Sequence, residues 1–295
     1  MYRTQKPQTL LDIAIALLFI AFGLYITVKV RTGLDYNWQW SAMPQFLFRY
    51  DPIRQKWVAN ILILGLLTTI RLSIWGTLLA LLIGIMMGLM RVSRSLFRRL
   101  VSRTYVELIR NLPPLILIFI FYYFVSSQIL PAIGIEAFLN RCSDQTAALL
   151  TFLFAPPDLL PQFLSAVITL AVFEGAYITE IVRAGIQSIE KGQWEASAAI
   201  GLYRMQRLYL VILPQAVRKI LPPLAGQFIS TIKDSAIVSV ISIQELTFQG
   251  IELMSATYLT FEVWITITML YLTLTLSLSL ALGRLEIFMK KNGSA

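Results

Sequence analysis

The fold class this sequence predicts is all-α, a polytopic helical membrane protein with about six transmembrane helices, and three observations predict it. Hydrophobic residues fill 57% of 295 positions and charged residues 14%, against roughly 45–50% and about 25% in soluble domains. That is more apolar surface than one aqueous core can hide. Apolar runs long enough to cross ~30 Å of hydrocarbon as helices, about 20 residues each, recur along the chain. Lysine and arginine, finally, fall in short clusters between those runs. Helices are the expected spanning element because they satisfy every backbone donor and acceptor internally.

The spans are predicted at Leu10–Val28, Ala59–Met90, Tyr105–Leu130, Phe163–Ile186, Ile220–Ile241 and Phe261–Leu282. The first is as long as a full span and lacks a small-residue cleavage site, so it reads as a retained anchor. The second exceeds a bilayer's need and should tilt, and its Gly65, Gly76, Gly84 and Gly88 would let neighbouring helices approach closely. Residues 31–58, with Trp38, Trp40, Phe46, Phe48, Tyr50 and Trp57 among scattered charges, suit an interfacial helix on the headgroups or an ordinary covered loop. The prolines of 131–161 mark an outer connection. This divides the chain into residues 1–58 (N-terminal end, first span and external aromatic segment), 59–285 (the transmembrane domain, with a cytosolic loop at 187–214) and 286–295 (a tail).

Orientation follows from counting basic residues outside the spans. Arg3, Lys6, the 91–103 loop, the 187–219 loop and the tail hold 15, while the opposite side holds 6. The excess side is expected to be cytosolic, with both termini on it. The net charge of +9 therefore reads as topology and not as a nucleic-acid surface.

Much chemistry is excluded. The chain has no histidine and a single cysteine, Cys142, so the usual metal ligands, a proton-shuttling imidazole and an intrachain disulfide are all missing. Neither a phosphate-binding GxxxxGK[ST] loop nor a GxSxG elbow occurs. No catalytic residue, metal site or cofactor is expected in this chain.

The loop from Gln187 to Pro214 is the most informative segment. Glu195 to Ala199 is strongly helix-forming, Gly201 can end that helix, Leu202 to Ile212 resumes it and Pro214 should limit it, which predicts two short helices around a glycine turn. Trp194, Ala198 and Leu202 share a face at helical spacing and offer an apolar docking patch, rimmed by Lys191, Glu195, Arg204 and Arg207.

Glu195-Ala196-Ser197, three residues, Gly201, nine residues and then Val211-Ile212-Leu213-Pro214 resembles the EAA coupling loop of ATP-binding-cassette importer permeases. The departures are Ser197 for the second alanine and Val211 for isoleucine. Segments Gly175–Ile186, Pro214–Arg218, Ile232–Ser235 and Tyr105–Pro113 are similar to the polar amino-acid uptake branch, so the likeness covers about residues 60–285. The resemblance implies the type I importer permease fold and transport by alternating access. It implies two ATP-binding-cassette ATPase subunits, which would bind the ATP and Mg, a second permease subunit, an external solute-binding protein and residence in the cell (inner) membrane. It carries the coupling role to Glu195, Ala196, Gly201, Leu213 and Pro214. Another small polar solute, or an ion-coupled secondary transporter, is the alternative, although the latter predicts inverted repeats that the sequence does not display.

Charges within apolar spans cost about 2.5–3.5 kcal/mol on insertion scales and mark protein-lined sites. Glu174 falls near the middle of the fourth span with Tyr177, Ile178 and Ile181 on its face, where it would contact a substrate ammonium or form a structural pair with Lys233. Lys233, Asp234 and Ser235 complete the substrate-pathway candidates. Glu180 and Arg183 are expected to pair at i,i+3; Glu107 and Arg110, again three apart, fall at the cytosolic end of the third span, and Arg71 is a lone charge in the second span.

Overall fold

The computed structural model describes residues 9–33, 36–53, 55–139 and 141–292; Arg3, Lys6 and Arg54 of the charge count lie outside the described residues. The chain divides into two compact units, Met1–Ser41 and Ala42–Ala295. In the first, helix α1 (Thr9–Gly33) exposes apolar side chains on every side between Ile13 and Ile26. A helix hydrophobic all round requires an apolar solvent.

The second unit opens with a short helix α2 (Met43–Leu47) and an antiparallel hairpin, β1 (Phe48–Asp51) with β2 (Lys56–Ala59). No continuous helix covers this aromatic segment. Its residues alternate with period two, Phe48-Arg49-Tyr50-Asp51 against Lys56-Trp57-Val58-Ala59, and the Asp51 carboxylate accepts the Ile53 amide at 2.9 Å to make the turn.

The long helix α3 (Ile61–Arg91) follows. Helix α4 (Leu96–Asn111) is amphipathic, burying Ser102, Val106 and Ile109 while exposing Leu96, Phe97 and Leu100. This corrects the third span. Tyr105 lies on α4, and the span itself runs Pro114–Ile133, as α5 (Pro114–Phe124), a π-helical turn Val125–Ile129 and α6 (Leu130–Ile133). The break is chemical: a residue before proline is pushed out of the helical region, and Leu112 and Pro113 are both extended, at ψ 147° and 130°.

Short helices α7 (Ile135–Leu139) and α8 (Asp144–Leu153) form the connection to α9 (Leu160–Gln187). Beyond α9 lie α10 (Lys191–Ala199), α11 (Arg204–Gln206), a π-helical stretch Arg207–Ile212, α12 (Leu213–Asp234), a 3-10 stretch Ser235–Ile241, α13 (Leu246–Thr257) and α14 (Thr260–Asn292). Among the described residues, five helical stretches are long and apolar enough to cross a membrane: α3, Pro114–Ile133, α9, Arg204–Ile241 and Thr260–Arg284. The apolar stretch Ile13–Ile26 of α1 is shorter.

The contact of α3 with α9 organises the second unit. Gly76, Gly84 and Gly88 of α3 lie against Leu170, Ile178 and Val182 of α9, so close that a methyl group at any of them meets those side chains. Gly65, on the same helix, lies against Leu246 and Gln249 of α13. Small residues buy this approach, and the dispersion contacts it permits hold helices together where hydrocarbon removes the hydrophobic drive. Leu72, Ile118, Phe163, Leu170 and Val238 form one buried cluster, and Ala80, Ile178, Val182, Ile212 and Ile220 another.

Candidate functional site

The buried carboxylate of Glu174 is the polar centre of α9. Its Oε2 accepts a 2.6 Å hydrogen bond from Gln227 Nε2 of α12, while its Oε1, equally buried, has no hydrogen-bond partner. Gln227, Thr231 and Asp234 recur at helical spacing on α12, and the side chains of all three interact with Glu174. Among the described residues Lys233 forms no ion pair with Glu174; it is exposed, one residue and about 100° around the helix from Asp234. Of the two alternatives for Glu174, the structural pair with Lys233 does not form, and an amide takes that place. Ser235 is buried and donates back to the Ile232 carbonyl at 2.8 Å, which leaves it occupied within its own helix.

Tyr177 is half-buried beside Phe173, and the Arg110 guanidinium sits 5.4 Å from its ring centroid. Arg110 thus uses an aromatic face, whereas Glu107, three residues before it, lies 3.9 Å from Arg103 and accepts from Asn111. Glu180 and Arg183 do pair, at 2.7 Å, and Arg91 of α3 approaches the other Glu180 oxygen at 3.5 Å. Tyr105 donates to the Val172 carbonyl at 2.6 Å, fixing α4 against α9.

The second part is the elbow between α9 and α12. Helix α10 ends in a Schellman motif: Gly201, at φ +82°, donates to Ala198 O at 3.0 Å, and Leu202 donates to Ser197 O at 3.3 Å. Only a residue tolerant of left-handed backbone fits there without strain. The returning arm differs from its prediction. Arg204 to Ile241 is one continuous 38-residue helical stretch, so Pro214 does not limit a short helix. Proline's missing N–H breaks the i to i−4 ladder, and the π turn at Arg207–Ile212 carries the chain past it.

The elbow's faces also differ. Trp194 packs inward against the cluster of Ile186, Ile189 and Ile212, and Ser197 is buried, so Trp194 seats the elbow instead of presenting a docking patch. Glu195, Ala196, Ile200 and Tyr203 are exposed, as is Pro214, whereas Leu213 is half-buried. Gln215 donates to Gln193 at 3.1 Å and Lys219 to Ser188 O at 2.9 Å, tying α12 to α10 and to the end of α9.

Two functional-looking groups had no signal in the sequence. Gln227 is an uncharged amide in an apolar run. Glu245 is fully buried, caps α13 by accepting the Phe248 amide at 2.7 Å, and accepts from Tyr271 of α14 at 2.8 Å and Thr69 of α3 at 3.3 Å. Its value is structural, since a carboxylate at a helix N-terminus that also receives two hydroxyls ties three helices at one point. Among the described residues, no three His, Cys, Asp or Glu side chains are grouped to hold a metal.

Residues 80–291 match the family described as binding-protein-dependent transport system inner membrane component. The chain is 34% identical to the glutamine transport system permease protein GlnP of Escherichia coli (strain K12), over 78% of this chain and 93% of that one. It is 30% identical to the glutamate/aspartate import permease protein GltJ of the same strain, over 79% and 87%. A solved amino acid ABC transporter with histidines superposes at TM-score 0.61 with 33% identity, covering 77% of this chain and 92% of its own. The MetNI methionine ABC transporter superposes at 0.57 with 19% identity, a likeness of fold.

Proposed function

The chain belongs to the binding-protein-dependent transport system inner membrane components, and on that premise we propose that it is the permease subunit of an ATP-driven importer of polar L-amino acids. As a member of that family it is a membrane-embedded permease and not itself an enzyme. The cargo class rests on the relatives named for glutamine and for glutamate/aspartate and on the amino acid transporter among the solved structures.

One observation carries the mechanism. The helical stretch Arg204–Ile241 bears the exposed elbow at one end and the Gln227, Thr231 and Asp234 stripe facing Glu174 further along. A push on Glu195, Ala196 and the Gly201 turn is therefore delivered through Leu213 and Pro214 into the element that lines the polar centre. In this reading two ATP-binding-cassette subunits hold the ATP and Mg and supply the push. A second permease subunit completes the pathway, and an external solute-binding protein delivers cargo. The unpartnered Glu174 oxygen is the feature that would receive a substrate ammonium, a charge-assisted contact. The basic-residue excess supports a cytosolic position for both termini, and the family supports residence in the cell's inner membrane.

The test is ATP-dependent uptake of a panel of labelled amino acids by the reconstituted complex, wild type against Glu174→Gln. Loss of one charge-assisted contact should lower uptake by about tenfold or more across the panel. Unchanged uptake of every substrate would make Glu174 a structural partner of Gln227 and remove it from the pathway.

A further inference from the structure

The hairpin of residues 48–59 precedes the segment matched to the family, and its register gives it two chemically opposite faces. Phe48 pairs with Ala59 and Tyr50 with Trp57, while Arg49 pairs with Val58 and Asp51 with Lys56. Directly paired residues point the same way and successive residues point oppositely. One face is therefore Phe48, Tyr50, Trp57 and Ala59, and the other is Arg49, Asp51, Lys56 and Val58.

The aromatic face is uncovered. Phe48, Tyr50 and Trp57 are 48%, 52% and 70% exposed, and Ile53 at the turn is 92% exposed. Tyr50 and Trp57 pack edge-to-face at 5.9 Å between centroids. A two-stranded ribbon is marginal alone, but this one is held at its base. The Asn60 amide donates to Leu47 O at 2.9 Å, its side chain donates to Gln45 O at 2.6 Å, and Met43 is buried with Leu62, Leu246, Leu259 and Val263. The uncovered face is consequently presented in a fixed place, by a built support.

What covers it follows from where it stands. Strand β2 ends at Ala59 and the spanning helix α3 begins at Ile61, so the hairpin starts at the boundary between hydrocarbon and water. Tryptophan and tyrosine concentrate at that depth because a flat apolar ring with one polar edge fits neither phase fully. The opposite face supplies the charges that such an arrangement keeps in water, Arg49, Asp51 and Lys56.

We propose that the β1–β2 hairpin is a lipid-interface anchor, its Phe48, Tyr50 and Trp57 face set into the headgroup boundary where α3 enters the bilayer and its Ile53 tip in the acyl layer. The anchor fixes the height and tilt of α3, and with it the α3–α9 contact.

The experiment reconstitutes the full chain, alone and in its assembled transport complex, into phosphatidylcholine vesicles. The Trp57 signal is isolated as the difference between wild type and Trp57→Phe. Lipids brominated near the headgroup should quench that signal, and aqueous acrylamide should quench it about threefold less than an indole free in water. In a Cys142→Ser background, Ile53→Cys carrying an environment-sensitive dye should emit as in an apolar medium whether or not partner subunits are present. Access of acrylamide to Trp57 in the lone chain, lost only when the complex assembles or a binding protein is added, would assign the face to a protein partner and overturn the proposal. So would full aqueous exposure of both probes in every preparation.

Discussion

Glu174 accepts one hydrogen bond where a carboxylate has room for about four, and it is buried. A buried polar group left without partners costs about 1–3 kcal/mol, so the single bond from Gln227 carries weight beyond its own strength. Replacing Gln227 with alanine removes the one hydrogen bond that Oε2 accepts, and the variant should unfold in detergent at a lower temperature, a loss of about 1–3 kcal/mol. Combining it with Glu174→Gln should return part of that loss, because the charge that needed the amide is gone. Additive losses in the double variant would show that the two side chains are not coupled. The glutamate was legible in the sequence because a charge in an apolar run has few structural excuses. Gln227 and Glu245 were not, since an amide carries no such signal and Glu245 sits in a polar turn between helices.

At the level of elements, the glycines of α3 are readable as a packing surface, and their partners are α9 for Gly76, Gly84 and Gly88 and α13 for Gly65. Gly84 is the tightest case that serves as a probe. Its partner is Ile178, a β-branched side chain that cannot swing aside. Gly84→Leu should force the helices apart at a cost of about 1–3 kcal/mol or more, seen as reduced yield of folded protein and a lowered melting temperature. An unaltered melting temperature would mean that the two helices do not depend on this approach. Element boundaries were less legible for a physical reason. Periodicity continues across Leu112 and Pro113, where the backbone turns extended, whereas Pro214 looked like an end and is passed by a π turn. Proline's consequence depends on whether the surrounding chain can rearrange its hydrogen bonds, which tertiary packing decides. Trp194 turns inward for the same kind of reason: helical spacing puts it on a face with Ala198 and Leu202, but only packing decides whether that face looks in or out.

For the whole molecule, orientation is the property that sequence charge argues for most directly, and the lone cysteine offers a test. Cys142 lines an open cavity of about 550 Å³ with Phe138, Arg141 and Thr146 in the connection between the third and fourth spans. If the basic loops are cytosolic, a membrane-impermeant maleimide added to intact cells labels Cys142, and Cys142→Ser abolishes the labelling. Labelling only after the membrane is opened would invert the topology and place the elbow away from any cytosolic ATPase.

The longest-range relation in the molecule is the continuity of the helical stretch from the elbow to the polar stripe. Neither motif alone reveals it, because the loop and the fifth span are each legible while the link between them runs through Pro214, Pro222 and Pro223. The stretch transmits displacement to the extent that it stays stiff through these three prolines, each of which lacks an N–H for the ladder, and a flexible glycine pair costs roughly 1 kcal/mol per residue in helix propensity while allowing the two halves to move separately. Inserting Gly-Gly after Gly226, where an added methyl would meet no neighbour within 4 Å, is expected to preserve the elbow and membrane assembly. It would also shift the register of Gln227, Thr231 and Asp234, so the matched control inserts Ala-Ala at the same point, giving an identical shift with helical stiffness retained. The expected outcome is that both insertions reduce uptake while binding-protein-stimulated ATP hydrolysis persists, and that uptake per ATP falls further in the Gly-Gly chain than in the Ala-Ala chain. Equal ratios of uptake to hydrolysis in the two chains would show that the stiffness of this helix does not couple the elbow to the centre, and that the push reaches Glu174 through α9 instead.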